Sequence, residues 1–117
     1  MSTGEKYRTV IFYKDYFEKF FLKQRKKVKD KIVWTIELVE DLEIVPERYL
    51  KHIESTTGLY EMRVRVGRDS IRIFCFFDRD KLVILINGFQ KKTQKIPQRE
   101  IEKALKIMEE YKDERQK

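Results

Sequence analysis

The sequence predicts an α+β fold, a small antiparallel-rich sheet packed with an N-terminal helical hairpin and a C-terminal helix in the order β-α-α-β-β-β-α. Three observations carry this expectation. Between Phe17 and Val39 the apolar residues recur at three, four or seven positions, the spacing of one helical face. Between Leu59 and Ile86 the pattern changes to alternation or to short apolar runs, punctuated by Gly67-Arg68-Asp69-Ser70 and Asp78-Arg79-Asp80. From Ile101 onward the helical spacing returns.

The first element is a strand over Tyr7 to Tyr13, where Thr9, Val10, Ile11 and Phe12 are β-branched or aromatic. Asp15 can cap the helix that follows. Phe17, Phe20, Phe21, Val28, Ile32, Ile36 and Val39 form its apolar stripe as far as about Leu42. Because Gln24 to Lys31 is almost wholly polar, two helices joined near Lys29-Asp30 are expected, with one bent helix as the alternative. Pro46 closes the helical region, and Glu47 to Thr57 reads as a polar connector anchored by Tyr49, Leu50 and Ile53.

In the strand Leu59 to Val66, Tyr60, Met62, Val64 and Val66 fall on one face and Glu61, Arg63 and Arg65 on the other. Ser70 to Phe77 and Leu82 to Ile86 complete an antiparallel meander. Asn87 to Lys95 reads as a short basic loop. Pro97 suits the first turn of a last helix, whose stripe is Ile101, Ala104, Leu105, Met108 and Tyr111, and the tail Lys112 to Lys117 is expected to fray.

Length and composition narrow the class. With 117 residues and 41% hydrophobic content, one domain over residues 1–117 with one core is expected. The 40% charged fraction suits disorder, but 8 Phe and 6 Tyr in periodic runs supply enough apolar surface to fold. The net charge of +7 attracts polyanions, either nucleic acid or an acidic protein segment. Cys75 is the sole cysteine, without the Cys/His companions of a structural zinc site, which suits a reducing cytoplasm. A polar N-terminus and the lack of roughly 18 consecutive apolar residues give neither a secretory signal nor a membrane span, so the expected location is cytoplasmic, without membrane contact.

The candidate chemistry lies with cations. Arg63 and Arg65 on one strand, Arg72 on the next, and Lys91, Lys92 and Lys95 after the third would gather on one side of the sheet, ready for phosphates. The competing reading is an exposed sheet face that charges merely solvate. Arg72 tips the balance, because an arginine among Ile71, Ile73 and Phe74 is costly unless it pairs with a carboxylate or waits for an anion. Glu61 shares that face, either as an ion-pair partner or as a general base. Phe89, beside the basic run, could stack on a base, although core packing is the commoner fate of Phe. The lysine-rich stretch Lys23 to Lys31 suits helix solvation more than ribosomal RNA contact, and Trp34 suits packing. His52 is the only histidine, which rules out a two-histidine ribonuclease mechanism. No acidic or histidine cluster has metal-ligand spacing, so no metal or other cofactor is expected.

Gly58-Leu59-Tyr60-Glu61-Met62-Arg63, Ile71-Arg72-Ile73-Phe74, and Asn87-Gly88-Phe89-Gln90-Lys91-Lys92-Thr93 followed by Pro97 and the Glu100 to Tyr111 helix resemble the phage-derived, HigB-like branch of the RelE/ParE toxin superfamily. The resemblance spans nearly the whole chain and is most specific over residues 58–111. It implies a type II toxin, an endoribonuclease that cuts messenger RNA on the ribosome, partnered by an antitoxin of helix-turn-helix type. Arg63 and Arg72 match the family's strand cations, and Lys91 and Lys92 the basic residues after its last strand. Several members carry a Tyr or His acid/base near the C-terminal helix, whereas Ile96-Pro97-Gln98-Arg99 holds neither. The resemblance also admits a ParE-like gyrase inhibitor, and the residues alone admit a binding module that never cleaves.

Overall fold

The computed structural model describes residues 6–116, so expectations for Met1–Glu5 and for Lys117 lie outside the described residues. The elements are β1 (Thr9–Phe12), α1 (Tyr16–Leu22), α2 (Lys26–Asp41), β2 (Leu50–His52), β3 (Leu59–Val66), β4 (Asp69–Phe77), β5 (Leu82–Lys91) and α3 (Gln98–Arg115). They form an α+β fold around a five-stranded sheet of order β1-β5-β4-β3-β2. β1 runs parallel to β5, and every other pairing is antiparallel.

The sheet divides the apolar residues into two layers rather than the one core that composition suggests. On one face Met62, Val64, Ile71, Ile73, Cys75, Val83 and Leu85 pack against Phe17 of α1 and Val28, Ile32 and Val39 of α2. On the other, Leu59, Phe74, Phe76, Ile84 and Ile86 pack against Ile101, Ala104, Ile107 and Met108 of α3. This follows from the period-2 alternation of β3 and β4, which sends successive side chains to opposite faces.

The helical break falls at Lys23–Arg25, not at Lys29-Asp30. Lys23 and Gln24 donate their amides to the carbonyls of Phe20 and Phe21, and Arg25 takes an extended backbone before α2 begins. Val28, Ile32, Thr35 and Val39 form one buried stripe at spacings of four, three and four, which a break at Lys29 would interrupt. The polar run is therefore the solvated first turns of α2. Asp15 does occupy the N-cap of α1, but its carboxylate pairs with Lys19 at 3.3 Å instead of capping an amide.

β1 is an edge strand that α2 protects. Glu40, buried, accepts the outward amide of Val10 at 3.0 Å and pairs with Lys6 at 2.9 Å, so the unpaired side of the strand is partly closed. In return Arg8 spreads its guanidinium over the carbonyls of Val39, Leu42 and Glu43, placing a cation at the C-terminal end of a helix whose last turn has no basic residue of its own.

Two further corrections bear on function. The expected polar connector contains β2, whose Leu50, Lys51 and His52 pair with Met62, Glu61 and Tyr60. The expected basic loop is strand as far as Lys91, because β5 continues five residues past Ile86. Between the pairs Cys75–Leu85 and Ile73–Gly88, Phe74 faces two residues of β5, Ile86 and Asn87. This bulge reverses the alternation, so that Phe89 and Lys91, instead of Gly88 and Gln90, share the face of Arg72 and Ser70.

Gly88 then lies beneath α1. A Cβ built there would sit 2.7 Å from Cδ2 of Phe20, closer than carbon atoms tolerate. Gly88→Ala is expected to destabilise the fold by about 1–3 kcal/mol, the range for overpacking, and Phe20→Leu in the same chain to restore part of it. Denaturant unfolding of the two variants checks this; equal midpoints for Gly88→Ala and the parent would disprove the close packing.

α3 is longer than its stripe requires and does not end at Tyr111. Tyr111 donates its hydroxyl to Asp78 at 2.5 Å, and Arg115 pairs with the same carboxylate at 3.0 Å, which anchors the last turns to the β4–β5 turn. No helix among the described residues is long and apolar enough to cross a membrane.

Candidate nucleic-acid interface

α3 crosses only the half of its sheet face that holds Leu59, Phe74, Phe76, Ile84 and Ile86. The other half carries the polar residues of the same alternation. Strand register sets them in rows, with Arg63 opposite Arg72 and Arg72 opposite Phe89, then Arg65 opposite Ser70 and Ser70 opposite Lys91. Glu61 begins the patch, opposite Phe74. Arg48, Arg63, Val64, Arg65, Ser70 and Arg72 line a groove of about 220 Å³.

Arg72 is at the centre and only 6% exposed. Its Nε lies 2.8 Å from Oε1 of Glu61, a charge contact in which the N–H is not aligned on the oxygen. Its Nη1 donates to Ser70 Oγ at 3.1 Å and to the carbonyl of Ile71 at 3.2 Å. Burial pushes the Arg72 guanidinium below its ordinary range, Glu61 works against that, and Arg63 and Arg65 add to it. Arg63 is half-buried and reaches the same oxygen of Glu61, Nε to Oε1, at 3.2 Å. One carboxylate thus holds two guanidiniums side by side. With Nη1 of Arg72 on Ser70 and Ile71 and Nη1 of Arg63 donating to the carbonyl of Glu47 at 3.5 Å, both guanidiniums are fixed in direction, which suits a tetrahedral anion.

Lys91 joins the same group. Burial lowers its pKa first, the charges of Arg72 and Arg63 lower it further, and Glu61 opposes them. Lys92 and Lys95 are exposed beyond the end of β5, where Thr93 donates its hydroxyl to the carbonyl of Lys95 at 2.6 Å. Arg65 is exposed at the rim of the groove. Phe89 is half-buried, with one ring face stacked on Phe74 at 5.4 Å. Counting Arg48, Arg63, Arg65, Arg72 and Lys91 against Glu61, the patch holds five cations to one carboxylate.

Sequence reasoning missed Arg48 and Ser70. Arg48 sits in an aperiodic connector and reaches the groove only because Pro46–Tyr49 runs beside β3, where Arg63 donates its amide to the carbonyl of Tyr49 at 2.9 Å. Ser70 stands where the turn passes into the strand, and only its pairing with Arg65 and Lys91 places it on this face. His52 packs its ring against Tyr60, on the opposite face of the sheet. Cys75 is fully buried, and burial pushes its thiol up, so it offers no thiolate to the groove. Among the described residues no group of three or more His, Cys, Asp or Glu side chains is placed to hold a metal ion.

In comparison with known proteins, a family model described as phage derived protein Gp49-like matches residues 19–109, from within α1 to within α3. No curated protein matches the chain.

Proposed function

The chain belongs to the phage-derived Gp49-like family, which is related to the RelE-type toxins, and from that premise we propose that it is the toxin of a type II toxin–antitoxin pair, a HigB-like endoribonuclease that cuts translated messenger RNA. The observation that carries this reading is Arg72, buried in a strand yet lining a groove with Arg48, Arg63 and Arg65, within a patch that holds five cations to one carboxylate. A purely structural ion pair needs one arginine for Glu61. The surplus of positive charge suits a phosphodiester.

In the proposed reaction the ribose 2′-oxygen attacks the adjacent phosphorus, the P–O5′ bond breaks, and a 2′,3′-cyclic phosphate and a 5′-hydroxyl result. Arg72 and Arg63 stabilise the charge that grows on the phosphoryl oxygens, and Glu61 positions both guanidiniums. Lys91 in its neutral form takes the proton of the 2′-hydroxyl, since its depressed pKa leaves a larger neutral fraction than an ordinary lysine has, and the proton passes on to the 5′-oxygen. Arg65, Lys92 and Lys95 hold flanking phosphates, and Phe89 offers an apolar edge to a base. The ribosome aligns the message, compensating for the lack of a Tyr or His acid/base at Ile96 to Arg99. A helix-turn-helix antitoxin with an acidic segment would restrain the enzyme by covering the groove, and opposite charge would speed their association.

Purified protein is expected to cut a defined message rapidly with programmed ribosomes and poorly without them, leaving 5′-hydroxyl ends. Fast cutting of naked RNA would remove the ribosome from the reading. Absence of cutting in both, together with inhibition of gyrase supercoiling, would replace nuclease by gyrase poison.

A further inference from the structure

A second set of cations and rings continues from the groove around the edge of the sheet. β2 pairs with β3 only as far as Met62, so from Val64 onward β3 borders the space between the sheet and α2. There Trp34 of α2 and Tyr49 of the connector meet edge to face, with ring centroids 5.6 Å apart. Each carries a cation: Lys31 Nζ lies 4.0 Å from the centroid of Trp34, and the Arg48 guanidinium 5.0 Å from that of Tyr49. Both rings are half-buried, and Trp34 lines an open groove of about 390 Å³ with Lys27, Asp30, Lys31, Arg65 and Val66.

The two grooves meet at Arg65. Arg65 lines both, and Arg48 lines the first while covering the ring that flanks the second. The one carboxylate of the second groove, Asp30, is engaged by Lys26 at 2.8 Å. We propose that Trp34 and Tyr49, flanked by Lys31 and Arg48, form a base-stacking cradle for single-stranded RNA that leads away from the Arg72 groove across Arg65. Flat rings interleaved with cations suit an unpaired strand, whose bases stack and whose phosphates pair. An acidic peptide would use the charges and leave the rings idle. The inference rests on the reading of the Arg72 groove as an RNA site and adds where the strand runs. The strand can be the message beyond the cut or a ribosomal RNA segment, which offer the same chemistry.

Trp34 is the only tryptophan, so its emission reports the cradle directly. The experiment uses a dye-labelled 2′-O-methyl RNA of about ten nucleotides, which cannot be cleaved, and follows anisotropy for binding and Trp34 emission for stacking. Saturable quenching that tracks binding is expected. Tyr49→Leu is expected to weaken affinity roughly five- to a hundredfold, the range for one stacked base, and Lys31→Ala, at a half-exposed helix position, to reduce the quenching without lowering the melting temperature. Binding with unchanged emission, or full affinity in both variants, overturns the cradle and leaves the groove reading standing. No binding by anisotropy, with free oligonucleotide or with ribosomes, overturns both. Quenching by the free oligonucleotide assigns the strand to the message, and quenching only by protein-free ribosomal RNA, which carries no tryptophan, assigns it to ribosomal RNA.

Discussion

Arg72→Ala is expected to lower message cleavage about a hundred- to a thousandfold, the cost of removing one preorganised donor from a developing oxyanion. The substitution also bears on the fold, because Arg72 is buried and its loss leaves Glu61, 6% exposed, with only the 3.2 Å contact to Arg63. Breaking a buried pair typically costs about 3–5 kcal/mol, and the surviving Arg63 contact places the expected loss toward the low end. Activity and stability therefore have to be separated. Arg72→Lys keeps the charge without the fork and is expected to retain the fold with partial activity. The double variant Glu61→Gln with Arg72→Ala removes the stranded carboxylate and is expected to regain stability while staying inactive. Cleavage rates and unfolding midpoints for all three decide the matter: an Arg72→Ala protein that is folded and cuts at the parental rate would refute the assignment.

Lys91→Arg is expected to cost about a hundred- to ten-thousandfold, the usual contribution of general acid–base assistance. The substitution preserves positive charge but installs a group that does not release its proton near neutrality. The sign of the pH dependence follows from the direction of the shift. Burial, Arg72 and Arg63 favour the neutral amine of Lys91, so its titration falls below that of an ordinary lysine. A base acts when unprotonated, and the reactive fraction rises about tenfold per pH unit up to that lowered pKa. The cleavage rate of the parent should climb with pH accordingly, and in Lys91→Arg the climb should vanish. A persistent slope in that variant would transfer the proton to another group, whereas a parental rate would leave Lys91 as a phosphate contact only.

Much of the fold was legible in the sequence because hydrophobic periodicity reports which face of an element is covered. Phe17 to Val39, Tyr60 to Val66 and Ile101 to Met108 each announce their type, and the structure has them as a pair of helices, a strand and a helix. The alternation of β3 alone assigns Glu61, Arg63 and Arg65 to one face, and the cost of a lone arginine between Ile71 and Ile73 singles out Arg72. The sequence could not say how those residues pair. Strand register, the parallel placement of β1, the edge strand β2 and the bulge opposite Phe74 depend on contacts between segments distant along the chain, and local pattern does not encode them. That bulge decides whether Lys91 or Gln90 faces Arg72, and the stripe running unbroken from Val28 to Val39 decides that the helix breaks at Lys23–Arg25. Composition and periodicity thus determined a basic α+β protein with arginines on a sheet face. Tertiary structure alone decided that Glu61 clasps Arg63 and Arg72 together, that Arg48 reaches them, and that Lys91 loses enough water and gains enough repulsion for its proton to be loosened.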